Sequence, residues 1–420
     1  MGRKRAPRRG LVLGAGGVLG SAWLVGALRA VELETGQDVR DYDLVLGTSA
    51  GSVIAALIAL GVSTEVMANS ERGVHEPGFP VLDYRDLGAS LPPRPRMRMG
   101  SPRLLTTSAL HPRRTTPMVA LAALLPQGRG EISAVGDLVA AAAERHSLAA
   151  EALDLKRSAS LPPGARPRRS RRGRLIERPV ELDENGWPRS PLLRIVAMDF
   201  DSGGRVLFGA DGAPVAPLPR AVMASCAIPG WYAPVEIGGR RFVDGATRSP
   251  ASLDLLADSS LTEVLVLAPA CSFDTDRPRG AVARLERQIR RAATRRLARE
   301  IELVEAAGTK VTVLCPGPED LEVMGGNFMD LTRRAEVFET SLRTTAEAVR
   351  AAGLAQTLSR GVARGGGVQS QSSRGARAVQ ATAAGAARRA GDARETREAR
   401  EAAGASAEAA GGAVRLGLAG

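Results

Sequence analysis

Lysine is nearly missing from this chain. Of its 57 basic residues only Lys4, Lys156 and Lys310 are lysines and the rest are arginine; against 45 acids they leave a formal net charge of +12. Histidine is as scarce, with His75, His111 and His146 alone in 420 residues. The cysteines Cys226, Cys271 and Cys315 are odd in number and far apart, with no CxxC and no histidine nearby. That spacing excludes a disulfide framework and the usual zinc centres, and it fits a reducing compartment. Aromatics make up 3%, too few for the stacking platforms that hold single-stranded nucleic acid. Nucleic acid is therefore not an expected partner, although the net charge favours some anionic surface.

What the chain does have is 44% hydrophobic residues, enough for a sizeable core and too many for wholesale disorder. Five basic residues in MGRKRAPRRG precede an uncharged run from Leu11 to Leu28, which superficially matches a signal peptide, with Arg8-Arg9 hinting at a twin-arginine signal. The run carries Gly14, Gly16, Gly17, Gly20 and Gly26, which weaken a helical export segment. Export is not expected, and the expected location is cytoplasmic. No other apolar run is long enough to span a bilayer.

The pattern predicts βα units. Leu11–Leu13 reads as a strand, the glycines as a turn, and Ser21–Glu34 as a helix. Asp43–Leu46 reads as a second strand running into Gly47-Thr48-Ser49-Ala50-Gly51, with a helix over Ser52–Leu60. Further strands are expected at Leu192–Asp199, Arg205–Gly209, Arg240–Val243, Glu263–Ala268 and Lys310–Leu314. Helices are expected at Arg220–Cys226, Ala281–Gly308 and Phe328–Ala352. Such alternation points to a mostly parallel sheet covered by helices. Residues 91–178 read as an insertion that caps the sheet, with two basic loops. One holds Arg94, Arg96, Arg98, Arg103, Arg113 and Arg114. The other runs from Lys156 to Arg174 and includes Arg166, Arg168, Arg169, Arg171 and Arg172. Each loop reads equally as a solvated charge run. The expected organisation is a basic arm over 1–9, a main domain over 10–355, and a disordered Ala/Gly/Arg tail over 356–420.

Gly47-x-Ser49-x-Gly51 between a strand and a helix is the pattern of an elbow that exposes a serine nucleophile. Such a serine needs a base. No histidine precedes Ser49, and none follows His146, so neither of the familiar triad orders can be built; His111 and His146 read as surface residues. A carboxylate is the alternative. Asp244 ends a β-run in Phe242-Val243-Asp244-Gly245-Ala246, although Asp-Gly is also an ordinary turn. The cluster Gly14-Ala15-Gly16-Gly17-Val18-Leu19-Gly20 fails a dinucleotide fingerprint at its third glycine position. Its other reading is an oxyanion hole built from backbone amides.

LVLGAGGVLG, GTSAG and DGA in that order, with ASCAIPGWYAP between the last two, resemble the patatin-like phospholipase family. The resemblance covers roughly Gly10–Leu60 and Leu192–Val349. It implies a three-layer α/β/α sandwich and a Ser–Asp dyad without histidine. Ser49 would be the nucleophile and Asp244 its base, set in the Gly47/Gly51 and Gly245/Ala246 motifs. Amides of Gly16, Gly17 and Val18 would form the oxyanion hole. Three places depart from the family pattern: Ala15 and Leu19 stand where a glycine and a basic residue are usual, and Ser249-Pro250 where an asparagine is often found near the proline. The resemblance implies hydrolysis of a lipid ester, a phospholipid or lysophospholipid, with no metal and no organic cofactor. The alternative is a non-catalytic member that binds acyl lipid or an anionic membrane. The basic loops flanking the apolar Met118–Leu125 further predict peripheral contact with an anionic bilayer.

Overall fold

The computed structural model of the protein describes residues 8–74, 100–110, 116–145, 180–274 and 280–354. Most of the N-terminal arm, the Lys156–Arg174 stretch, all three histidines and the 356–420 tail lie outside the described residues.

Eight strands form one mixed sheet: β1 (Arg9–Leu13), β2 (Leu44–Thr48), β3 (Leu192–Asp199), β4 (Arg205–Phe208), β5 (Val235–Ile237), β6 (Arg240–Asp244), β7 (Glu263–Leu267) and β8 (Lys310–Leu314). Their order is β5-β6-β3-β2-β1-β7-β8, with β4 also paired to β3. The run from β3 to β8 is parallel, while β4 and β6 join β3 antiparallel. β1 and β2 are apolar on both faces because helices cover both, as central parallel strands require.

Side chains alternate between two cores. Leu11, Leu13, Val45, Ile195 and Ala197 face one, with Trp23, Leu57 and Phe338 from the helices α1 (Gly17–Thr35), α2 (Ala50–Ala59) and α10 (Arg334–Ala351). Val12, Leu46, Val196 and Val266 face the other, with Leu297 and Val304 of α8 (Ala281–Ala306). The result is the expected three-layer α/β/α arrangement. α3 (Thr64–Glu71) follows α2 in the first layer, where Val66 and Met67 join the same core.

The described part of the insertion holds three helices, the last where Ala134–Arg145 reads as helical in the sequence. Its helices α4 (Pro102–Leu110) and α5 (Pro117–Leu124) pack Leu104, Val119 and Ala123 on Met198, Phe200 and Val243, the α8 side of the sheet. The chain then passes Tyr232, which bridges Gly130, and enters α6 (residues 133–145). α6 buries Val135, Leu138 and Val139 in the opposite core. The insertion thus wraps from one face of the sheet to the other. Ser101 anchors its first turn, with Oγ donating to Asp201 at 2.9 Å.

Two further helices, α7 (Leu218–Cys226) and α9 (Pro318–Met324), complete the set among the described residues. α10 starts later than the apolar pattern predicts. Asp330 accepts from the Thr332 amide and stops an earlier helix with a 3-10 turn over Leu331–Arg333.

Candidate active site

β2 ends at Thr48 and α2 begins at Ala50, which leaves Ser49 alone in the turn. Its φ of 55° lies in the left-handed region, a strained conformation for a serine. The turn is held by close packing: a Cβ on Gly51 would lie 2.1 Å from the Leu13 carbonyl oxygen. Only glycine lets the first turn of α2 come this near to the end of β1.

Asp244 is the last residue of β6 and pairs with Ala197 of β3, the strand between β6 and β2. Ser49 Oγ donates to Asp244 Oδ2 at 2.6 Å across 195 residues of sequence. The other oxygen, Oδ1, accepts from the Ala246 amide at 2.8 Å in the 3-10 turn Gly245–Thr247. Asp244 is 3% exposed, and no cation pairs with it among the described residues. Burial pushes its pKa up to about 6, while the bonds from Ser49 and Ala246 pull it down.

The glycine loop after β1 is tied down at both ends. The amides of Gly14 and Ala15 donate to the carbonyls of Leu267 and Pro250, and those of Leu19 and Gly20 to Phe328 and Gly16, all at 2.8–2.9 Å. Between them the amides of Gly16, Gly17 and Val18 make no hydrogen bond among the described residues. Gly17 has φ +61°, and a Cβ there would lie 3.0 Å from the Phe328 carbonyl oxygen. Leu19, at the position of the missing cation, is fully buried in the core.

Ser49, Gly17 and Val18 line one cavity of about 60 Å³. Most of its other walls are apolar, with Val53 from α2, Ile132 and Val135 from the insertion, then Ile228 and Met329, while Ser21 and Tyr232 add polar groups. Such a space holds roughly four waters, so an acyl chain needs the walls to part. Cys226 also lines it, but burial and the nearby Asp244 carboxylate push the thiol pKa far up and keep it protonated. Among the described residues no cluster of His, Cys, Asp or Glu could hold a metal ion.

The structure therefore brings Ser49, Asp244, Gly17 and Val18 together, with Gly16 next to them in the loop. Gly47 sits in β2 beside Leu13 and Ile195, and Gly245 and Ala246 form the turn behind Asp244. Sequence reasoning missed Ser225. Its Oγ accepts from the Ser49 amide at 2.9 Å and donates to the Val196 carbonyl at 2.6 Å. The only signal was its place in ASCAIPG. It also missed Ile132 and Val135 as lining residues.

A family model for patatin-like phospholipases matches residues 11–257. The chain belongs to the patatin-like phospholipase family. The matched stretch runs through the insertion and stops before β7. Among solved structures the chain is similar to VipD from Legionella pneumophila, at 17% identity and a TM-score of 0.34, over 81% of this chain and 66% of that one. It is similar to the type III effector ExoU at 15% identity and a TM-score of 0.32, over 81% of this chain and 52% of that one. ExoU from Pseudomonas aeruginosa in complex with SpcU matches at 16% identity and a TM-score of 0.30, over 89% of this chain and 67% of that one. The chain thus spans about two thirds of VipD and about half of ExoU in the first two matches. No curated protein matches the chain.

Proposed function

We propose that the protein is a serine acyl-hydrolase of lipid esters that works through a Ser49–Asp244 dyad. The observation that carries this reading is the 2.6 Å bond from a strained, buried serine to a buried carboxylate at the floor of an apolar cavity. Ser49 Oγ attacks the ester carbonyl and its proton passes to Asp244 Oδ2. The oxyanion is met by the unpaired amides of Gly16, Gly17 and Val18. As the intermediate collapses, Asp244 returns the proton to the departing alkoxide. A water then gives its proton to Asp244 and attacks the acyl-enzyme, which frees the fatty acid and restores Ser49.

The apolar walls favour an acyl chain, and the family favours a phospholipid or lysophospholipid. α5 adds a feature suited to a lipid surface. Met118, Leu121 and Leu124 stand exposed along one side while Val119, Ala122 and Ala123 are buried on the other. With the arginines that surround this helix in the sequence, the exposed row fits an anionic bilayer. No helix among the described residues is long and apolar enough to cross a membrane. The three unpaired cysteines suit a cytoplasmic enzyme that works at the membrane surface.

The test is hydrolysis of a short p-nitrophenyl ester by wild type, Ser49→Ala and Asp244→Asn. Wild type should turn over, and both variants should lose at least a thousandfold in kcat. A fluorophosphonate should label Ser49. Retained activity in Ser49→Ala with unchanged circular dichroism overturns the assignment, and an inactive wild type favours the lipid-binding alternative.

A further inference from the structure

Arg290 stands out among the buried groups that the mechanism above does not use. It lies on α8, outside the stretch matched by the family model, and is 3% exposed. A buried guanidinium needs anchors, and two of those of Arg290, Pro269 and Phe328, lead to the glycine loop. Nη1 donates to the carbonyl of Pro269 at 2.6 Å and to that of Cys271 at 3.2 Å. The guanidinium carbon stacks 5.1 Å from the centre of the Phe328 ring. Nε donates to Glu286 Oε1 at 2.8 Å, which holds the side chain in place from its own helix. Its Nη2 has no partner and is fully enclosed.

Pro269 and Phe328 pack directly against the part of the loop with the unpaired amides. The Pro269 ring lies under Gly16 and Gly20, so close that a Cβ on Gly16 would be 2.8 Å from its Cγ. The Phe328 carbonyl accepts the Leu19 amide at 2.9 Å and presses on Gly17 from the other side. The three unpaired amides therefore sit between two supports that share one cation behind them.

We propose that Arg290 is a positioning residue that fixes the Gly16–Val18 amides toward the oxyanion by clamping Pro269 and Phe328. It touches no reacting atom. Preorganised donors act because they need no rearrangement when charge develops, so small displacements weaken the transition state more than the bound substrate. The lesion should thus fall on kcat and leave KM alone. This inference rests on the acyl-hydrolase reading, and the experiment separates the two.

The variants are Arg290→Lys and the pair Arg290→Met with Glu286→Gln, whose neutral amide oxygen can still accept from Arg287, the other buried cation paired with Glu286. Each is assayed with a short p-nitrophenyl ester and with a trifluoromethyl ketone, whose adduct at a serine carries an oxyanion. The double variant should fold, lose at least tenfold in kcat with KM within twofold, and lose ketone affinity by the same factor. Arg290→Lys should recover part of both losses, since an ammonium reaches the carbonyls but does not stack as a plane. A folded double variant with kcat and ketone affinity within twofold of wild type overturns the proposal. If the double variant does not fold, Arg290→Lys decides: a kcat loss with matched ketone weakening and steady KM supports the clamp, and unchanged kcat removes it. A wild type that turns over no ester, or Ser49→Ala that still does, defeats the acyl-hydrolase reading instead.

Discussion

Ser225 holds Ser49 by its backbone. The hydroxyl of Ser225 takes the Ser49 N–H at 2.9 Å and gives its own proton to the Val196 carbonyl at 2.6 Å, so the elbow is pinned to β3. The strained φ of Ser49 needs such an anchor, because the turn would otherwise relax.

Ser225→Ala should cost about 1–3 kcal/mol of stability, since a buried N–H and a buried carbonyl lose their partner. It should also lower kcat by ten- to a hundredfold with KM nearly unchanged. Urea unfolding and steady-state kinetics on a short ester check both. Full activity in the variant means that the elbow holds its shape without this tether.

Asp244 predicts opposite pH effects on activity and on stability. With its carboxylate as the proposed base, kcat/KM should rise with pH through a limb near 6. Replacing His75, His111 and His146 by Gln should leave that limb in place. Folding goes the other way. The folded state holds the Asp244 proton up to about 6 and the unfolded chain only to 3.8, so stability falls as pH rises between them. The loss is on the order of 3 kcal/mol. Asp244→Asn should be inactive, lose this slope, and exceed wild type in stability at pH 7.

Strain at Ser49 has a separate readout. With Asp244→Asn as background, Ser49→Gly and Ser49→Ala both remove the hydroxyl, but only glycine is at ease at φ 55°. The glycine variant should be more stable by about 1 kcal/mol, against its usual entropic disadvantage. Equal urea midpoints mean that the elbow stores no strain.

The membrane reading predicts sedimentation with phosphatidylglycerol vesicles, little with phosphatidylcholine, and release at high salt. Serine at Met118, Leu121 and Leu124 together should weaken binding at least tenfold, because each apolar side chain gains roughly 1.5–3 kcal/mol when fully buried. Replacing Arg166, Arg168, Arg169, Arg171 and Arg172 by Ser should weaken it too. Neither set should change turnover of a soluble short-chain ester. Equal binding to neutral and anionic vesicles removes the electrostatic argument.

The strands rich in β-branched and apolar residues could be read directly: β3 and β8 fall where their residues predict. β5 has three residues, and α4 and α9 are short, so no period shows in any of them. Ser49 and Asp244 were legible because the tight turns around them demand glycine. Their 2.6 Å contact was not, since it depends on β6 entering the sheet antiparallel beside β3. The path of the insertion around the sheet was hidden for the same reason. Its partners Met198, Phe200 and Val243 lie far along the chain, and nothing local in α5 marks which side they will cover.

Recognisable ancestry and the physical unit of folding end at different residues here. The family match stops at 257, yet the outer edge of β1 is completed by β7, which pairs Arg9–Leu13 with Glu263–Leu267. The exposed side of α1 is completed by α10, where Ser341 Oγ donates to the Trp23 carbonyl at 2.7 Å. A fragment cut at 257 would keep every motif residue and open a central strand to solvent, an edge prone to pair with other chains. Expression of that fragment should give aggregate, and one that runs through α10 should give soluble protein. Boundaries for a folded piece of this protein have to be drawn from hydrogen-bonded edges rather than from sequence likeness.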